Sequence, residues 1–167
     1  DYPSHAEGMT FPNPDKVYDS GDIFVGYRGF EKRGIKPLFA FGHGLSYTEF
    51  EYSDIRLSKE CIKGGEMLQA SVTITNRGKR AGKEVVQLYI ADKESSVARP
   101  AKELKGFEKV ALEPGESKVV TFDITPEALS FYDDRGEGEW RTESGEFEVL
   151  IGSASDDIRL SRRFTLE

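Results

Sequence analysis

Two stretches of the sequence carry side chains that could do chemistry, and the first is Gly42-His43-Gly44-Leu45-Ser46. A serine nucleophile needs a sharp turn with a different order of residues, and a histidine within reach of the serine hydroxyl. The glycines around His43 instead indicate backbone that passes close to another surface. We therefore expect His43 to be a turn residue with a structural hydrogen bond rather than a catalytic base.

The second stretch is the acidic run at residues 133–139, Asp-Asp-Arg-Gly-Glu-Gly-Glu. Glycoside hydrolysis would need two carboxyl groups at a defined separation on one concave wall, one of them with a raised pKa. Nothing in the run places two acids in that way. Its oxygens could hold calcium, but the run lacks the spaced ligands of known calcium loops. We expect a solvated hairpin tip.

Trp140 follows this acidic run and is the only tryptophan of the chain. In a β-rich domain a lone tryptophan usually packs in or beside the core. An exposed tryptophan ring would instead offer a flat face on which a sugar could stack. Both interpretations remain open, and Trp140 is our candidate sugar contact.

Composition excludes several classes of site and partner. A single cysteine, Cys61, rules out an internal disulfide, and His5 and His43 are the only histidines, so we predict no metal and no cofactor. The net charge of −7 argues against a nucleic-acid or anionic-membrane partner. The longest apolar run, residues 38–41, is far shorter than the ~20 residues of a membrane helix. The chain starts at Asp1, which suggests a piece of a longer protein, and its compartment is left unpredicted.

Residues 1–51 differ in composition from the rest of the chain. They hold ten of the nineteen aromatic residues and four of the seven prolines. Prolines and glycines at this density interrupt helices and strands, so we expect extended and turning backbone with one short element around Asp22 to Arg28. Aromatic rings carry large apolar areas. They must therefore lie against the following domain or against a neighbour that this sequence does not contain.

From residue 52 onward, apolar and polar residues alternate with the period of a half-buried strand. The alternation is found in the ranges 68–75, 86–90, 120–124, 147–151 and 158–166. Glu113-Pro114-Gly115-Glu116 has the residue order of a type II turn, and Thr125-Pro126 predicts a single helical turn. About seven short strands without a long helical period predict an all-β fold, an antiparallel β-sandwich of immunoglobulin or fibronectin type III character at residues 52–167.

Ordered motifs across nearly the whole chain then suggest a family. They lie at residues 24–28, 37–48, 73–78, 81–89, 99–107, 112–116 and 145–152. The first two resemble the segment that leads out of the catalytic domains of family 3 glycoside hydrolases, the β-glucosidases and β-xylosidases. The others resemble the fibronectin type III-like domain at the C-terminus of those enzymes.

This resemblance implies an accessory role without catalysis. The family's catalytic aspartate precedes a tryptophan in an upstream barrel, and its glutamate acid/base lies in the next upstream domain. Here Trp140 follows Glu139 and no Asp-Trp pair occurs. We therefore assign no catalytic residue, and expect no enzyme activity from the chain alone. The parent reaction implied is hydrolysis of terminal β-glycosidic bonds with retention.

Residues 1–51 would then be an extended linker that docks on the catalytic domains, whether those lie on the same or a separate chain. The aromatic residues expected to make this contact are Phe24, Tyr27, Phe30, Phe39, Phe41 and Tyr47. A carbohydrate-binding or adhesion module is the main alternative, and a self-sufficient glycosidase is a third. A fragment, a cleavage product and the product of a split gene all remain open.

Overall fold

The computed structural model describes residues 23–135 and 137–167. Within these residues the chain forms ten β-strands and two short helices, and it confirms the expected all-β fold. Neither helix approaches the length and apolarity of a membrane-spanning helix. The elements, in chain order, are α1 (Tyr27–Lys32), β1 (Phe50–Leu57), β2 (Cys61–Ile62), β3 (Leu68–Asn76), β4 (Gly82–Asp92), β5 (Glu103–Leu112), β6 (Ser117–Ile124), α2 (Pro126–Leu129), β7 (Phe131–Asp133), β8 (Glu139–Arg141), β9 (Gly145–Ala154) and β10 (Asp157–Leu166).

The strands form two packed sheets and a separate hairpin. One sheet has the order β1-β3-β6, the other has the order β2-β10-β9-β4-β5, and β7 pairs with β8. Neighbouring strands run antiparallel except the short β2, which pairs parallel with β10. This arrangement is the predicted sandwich, with more strands than the seven or so expected.

The core lies between the two sheets and follows the predicted alternation. On β3, the four side chains of Leu68, Ala70, Val72 and Ile74 are fully buried, and their polar neighbours point away from the core. In the other sheet, Phe147 of β9 and Phe164 of β10 are register partners, and their rings stack with centroids 5.5 Å apart. Each large apolar side chain buried here stabilises the fold by about 1.5–3 kcal/mol.

Two predicted local features are present. Gly115 has a φ of +79°, as the second central residue of a type II turn requires after Pro114. Asn76 closes the same end of the sandwich, because its buried amide donates hydrogen bonds to the carbonyls of Arg80 and Leu112. The helical turn α2 begins at Pro126, directly after Thr125.

The short element of the N-terminal segment lies further along the chain than expected. It was predicted around Asp22 to Arg28, but α1 occupies Tyr27–Lys32. Gly26 and Gly34 flank it with φ of +57° and +63°, so these glycines mark its two ends. The remaining residues of the predicted linker, 1–22, and Gly136 of the acidic run lie outside the described residues.

The five-stranded sheet is covered on both faces. On β4, Val86, Leu88 and Ile90 point into the core, yet the alternate residues Gln87 and Tyr89 are buried as well. Residues on the outer face of a two-sheet sandwich normally contact solvent. The segment at residues 23–49, which we call the exit segment, provides the additional cover.

Candidate functional site

Helix α1 attaches the exit segment to the outer face of the five-stranded sheet. The Tyr27 hydroxyl accepts a 2.8 Å hydrogen bond from the backbone N–H of Leu104 on β5. The Tyr27 ring packs edge-on against Tyr89 of β4, with centroids 5.9 Å apart. A salt bridge between Lys102 and Glu31 ties the same helix to the start of β5. Tyr27, one of the six predicted docking aromatics, therefore packs on the chain's own sandwich.

A buried polar network fixes the exit segment at a second point, around Gly42. The Tyr89 hydroxyl donates a hydrogen bond to Gln87, whose amide nitrogen in turn donates to the carbonyl of Ser153. Gly42 has a φ of +84°, and a Cβ at this position would lie only 2.1 Å from the Gln87 amide nitrogen. Glycine is thus required both by the backbone conformation and by the close approach. The Ser155 N–H donates to the carbonyl of Phe41, which completes the attachment.

The exit segment also exposes a row of apolar side chains to solvent. We call these residues the apolar row, and their exposed fractions run from 50% to 94%: Leu38, Phe39, Phe41, Leu45 and Tyr47. Three of the six predicted docking aromatics belong to it. Exposed apolar side chains contiguous along a short segment are typical of an interaction surface rather than of a free monomer surface.

The two remaining predicted aromatics, Phe24 and Phe30, are half-buried. The Lys32 ammonium lies 3.2 Å above the Phe24 ring in a cation–π contact. The structure therefore divides the predicted set: Tyr27 holds the segment, and Phe24 and Phe30 are partly covered. Phe41 is half exposed, with its ring centroid 5.5 Å from that of Tyr27, and Phe39 and Tyr47 are largely exposed.

A cleft of about 690 Å³ opens between the exit segment and the ends of β1, β4 and β10. On its wall the Tyr52 hydroxyl donates a 2.8 Å hydrogen bond to Glu84, and the Arg159 guanidinium lies 4.5 Å from the Tyr52 ring centroid. Burial raises the pKa of Tyr52, and burial also raises the pKa of Glu84 although the Tyr52 hydrogen bond opposes that shift. The sequence analysis missed this trio, because its members are far apart in the chain and only β-sheet packing brings them together.

The β7–β8 hairpin places Trp140 outside the core. Its side chain is 70% exposed, so the interpretation of Trp140 as a core residue is wrong. Tyr132, its partner in the hairpin register, contacts the ring edge-to-face with centroids 5.6 Å apart. The hairpin thus presents two neighbouring aromatic rings at the protein surface.

Asp133 is buried at the end of β7 next to the hairpin turn, which corrects the expectation that the whole acidic run is solvated. Arg135 donates to its carboxylate at 2.8 Å and Arg141 lies 3.4 Å away. The hydrogen bonds from Arg135, assisted by the charge of Arg141, lower the pKa of Asp133 to about 2. The carboxylate therefore has a structural role, because its contacts with Arg135 and Arg141 link the hairpin turn to β8.

The candidate chemistry of the first stretch does not assemble in the described residues. The His43 ring packs against Phe39 with centroids 5.2 Å apart, and its backbone N–H donates to the carbonyl of Ala40. The Ser46 hydroxyl accepts a hydrogen bond from the Thr48 N–H. Among the side chains that the structure describes, no three histidines, cysteines or carboxylates are grouped to hold a metal ion.

Comparison with known proteins identifies relatives along nearly the whole chain. The family model of the fibronectin type III-like domain matches residues 84–155. Thermostable beta-glucosidase B of Acetivibrio thermocellus is 52% identical over 153 residues, which are 91% of this chain and 20% of that protein. Beta-glucosidase BoGH3A of Bacteroides ovatus is 46% identical over 95% of this chain and 21% of its own length. The chain thus spans about a fifth of the length of these curated relatives.

Solved structures of beta-glucosidases are also similar to this chain over nearly its whole length. Beta-glucosidase 3B from Thermotoga neapolitana, solved in complex with alpha-D-glucose, superposes with a TM-score of 0.86 at 42% identity over 98% of this chain and 22% of its own. The GH3 beta-glucosidase of Bifidobacterium adolescentis superposes with a TM-score of 0.85 at 34% identity, over 93% of this chain and 23% of its own. The chain therefore belongs to glycoside hydrolase family 3, as the C-terminal region that carries the fibronectin type III-like domain.

Proposed function

We propose that this chain is a non-catalytic structural domain that packs on, and stabilises, the catalytic domains of a β-glucosidase-like enzyme. The complete enzyme would hydrolyse terminal β-glycosidic bonds with retention of configuration. The observation that carries this proposal is the apolar row, which is exposed on a segment that Tyr27 fixes to the sandwich.

The geometry of the exit segment suits a docking role. Because Tyr27 and Gly42 fix it at two points, the segment is ordered before a partner binds. Docking then costs less conformational entropy than the folding of a free linker would. A contact that buried about 400 Å² of apolar surface would supply roughly 10 kcal/mol of gross free energy, from which the costs of association are subtracted.

The absence of catalysis by the chain alone belongs to the same proposal. This absence is supported by the roles already found for the candidate groups. The His43 ring packs on Phe39, and the Asp133 carboxylate forms ion pairs with two arginines. We expect the purified 167 residues not to hydrolyse a chromogenic β-glucoside. Hydrolysis that a single carboxylate substitution abolished would contradict this part of the proposal.

Co-expression tests the docking role directly. The catalytic part of beta-glucosidase B, without the region matched by this chain, would be produced with and without these 167 residues. We expect a stable complex and a higher melting temperature of the catalytic part. The substitutions Phe39→Ser and Tyr47→Ser should weaken both effects, whereas Phe107→Ser, at an equally exposed ring on β5 outside the exit segment, should not. Failure to form a complex, or equal effects of the three substitutions, would contradict the proposal.

A carbohydrate-binding role is the second candidate, and one observation favours it: the exposure of Trp140 and Tyr132 on the hairpin. None of the residues of this surface belongs to the apolar row. The two roles are therefore compatible in one domain.

A further inference from the structure

A depression of about 390 Å³ lies beside Trp140 and is not part of the apolar row. Trp140 and Tyr132 form one of its walls, and Val97 and Pro100 add apolar surface. Small-molecule sites are concave, largely apolar and about 300–1,000 Å³ in volume, with a few convergent polar groups. The depression is therefore large enough for one or two sugar rings, but not for a long oligosaccharide.

The β7–β8 hairpin holds the rings of Trp140 and Tyr132 in place. Asp133, at the end of β7, forms ion pairs with Arg135 and with Arg141 at the end of β8. These ion pairs hold together the two strands that carry the rings of Tyr132 and Trp140. Gly138 lies close against Tyr132, since a Cβ at this position would be 2.2 Å from the Tyr132 hydroxyl oxygen. A rigid pair of rings loses little conformational entropy when a ligand binds.

The lining of the depression also contains charged groups. Glu103 lies between Arg28, at 3.3 Å, and Lys105, at 3.7 Å. The Lys105 side chain is only 18% exposed, and this burial lowers its pKa. The Ser130 hydroxyl borders the same space. Charged donors and a carboxylate acceptor thus line the same depression as the two aromatic rings. Three cations, Arg28, Arg99 and Lys105, share this lining with the single carboxylate of Glu103, whose nearest partner is Arg99 at 2.6 Å.

We infer that this depression binds a pyranose ring of a glycan. One face of a pyranose carries C–H groups that pack on an aromatic ring, and its rim carries vicinal hydroxyls that both donate and accept hydrogen bonds. The wall of Trp140 and Tyr132 matches the face, and Arg28, Glu103 and Lys105 match the rim. Hydrogen bonds to charged groups in a partly buried site are the stronger kind, which gives the polar side of the depression its specificity.

Fluorescence titration of the isolated chain tests this site, because Trp140 is its only tryptophan and every change in tryptophan emission reports on that ring. The probes are glucose and cellobiose. We expect a saturable change in emission with cellobiose. Removing one charged partner, in Arg28→Ala or Lys105→Ala, should weaken the apparent affinity about tenfold. The control Phe107→Ala, which removes an exposed ring far from the hairpin in sequence, should leave the titration unchanged.

Two results would overturn the inference. The first is no saturable change with either sugar, or the same titration for the wild-type chain and for both charge variants when circular dichroism shows that all are folded. The second comes from a chimera in which this chain replaces the matched region of beta-glucosidase B. Protection of Trp140 from oxidative labelling in that chimera without sugar would show that the hairpin is a domain interface. Both results are independent of whether the apolar row docks.

Discussion

Tyr27 is the residue that joins the exit segment most clearly to the sandwich, through its ring on Tyr89 and its hydroxyl on Leu104. The substitution Tyr27→Phe keeps the ring but leaves the Leu104 N–H without its acceptor. We expect a loss of about 1 kcal/mol in the free energy of unfolding, or about 2–4 °C in melting temperature. Tyr47→Phe is the matched control, because the Tyr47 side chain is exposed. Urea unfolding curves compare the two variants, and equal effects would show that the Tyr27 hydrogen bond contributes nothing measurable.

Gly42 combines an unusual backbone conformation with a close contact, and the effects of these two features on stability can be measured separately. Gly34 also has a positive φ, but a Cβ there would meet nothing within 4 Å. We expect Gly34→Ala to cost about 1 kcal/mol from backbone strain alone. Gly42→Ala should cost about 1–3 kcal/mol more, because the new methyl group overlaps the Gln87 amide. Thermal unfolding of both variants measures the difference, and equal destabilisation would argue against a tight contact at Gly42.

Asp133 makes the stability of the fold depend on pH. Its pKa in the folded chain, about 2, lies below the ordinary value of 3.8, so its ion pairs stabilise the fold above about pH 4. This contribution should be lost as the pH falls from 4 toward 2. We expect Arg135→Gln with Arg141→Gln to remove that part of the pH dependence, because the folded chain then no longer lowers the pKa of Asp133, and Asp133→Asn to remove it as well. Urea midpoints across this pH range test the sign, and an unchanged profile in both variants would contradict it.

At the scale of elements, the exit segment is structurally part of the sandwich although it contains no strand before Phe50. A chain shortened to residues 50–167 would uncover Tyr89 and Gln87 on β4. We expect it to fold, because the core between the sheets is intact, but with a melting temperature several degrees lower and with new binding of a hydrophobic dye. If the shortened chain were as stable as the longer one, the exit segment would be only a tether.

The strands could be predicted from the sequence where one face meets the core. The alternation in β3 and β6 is clean, since the outer faces of these strands carry polar residues such as Gln69 and Thr121. Alternation is weaker in β4, because the exit segment also buries Gln87 and Tyr89 on the outer face. Periodicity records how many faces of a strand are buried, but it does not say which segment covers the second one.

The sequence shows that the exit segment is rich in aromatic residues, but not where each ring lies. The density of rings before residue 51 indicates that these aromatics need cover, but not that Tyr27 would face inward and Tyr47 outward. That division depends on where α1 lies on the sheet. The burial of Asp133 likewise depends on Arg141, which only the hairpin register brings near.

At the scale of the whole molecule, the chain has two distinct surfaces with different proposed partners. The apolar row on the exit segment suits another protein domain, and the hairpin with Trp140 suits a sugar. These surfaces are assigned to separate elements, α1 to β1 in one case and β7 to β8 in the other. Variants on one surface should therefore leave the function of the other intact, and the stability and fluorescence measurements above can be combined to check this.

Oxidative labelling of the chimera with the catalytic domains of beta-glucosidase B, read residue by residue by mass spectrometry, tests the central claim most directly. Compared with the isolated 167 residues, we expect the chimera to protect Leu38, Phe39, Leu45 and Tyr47. Phe107, as exposed as Phe39 in the isolated chain but outside the exit segment, should react to the same extent in both. Equal labelling of the apolar row in the two proteins would show that this surface does not dock, and would contradict the account.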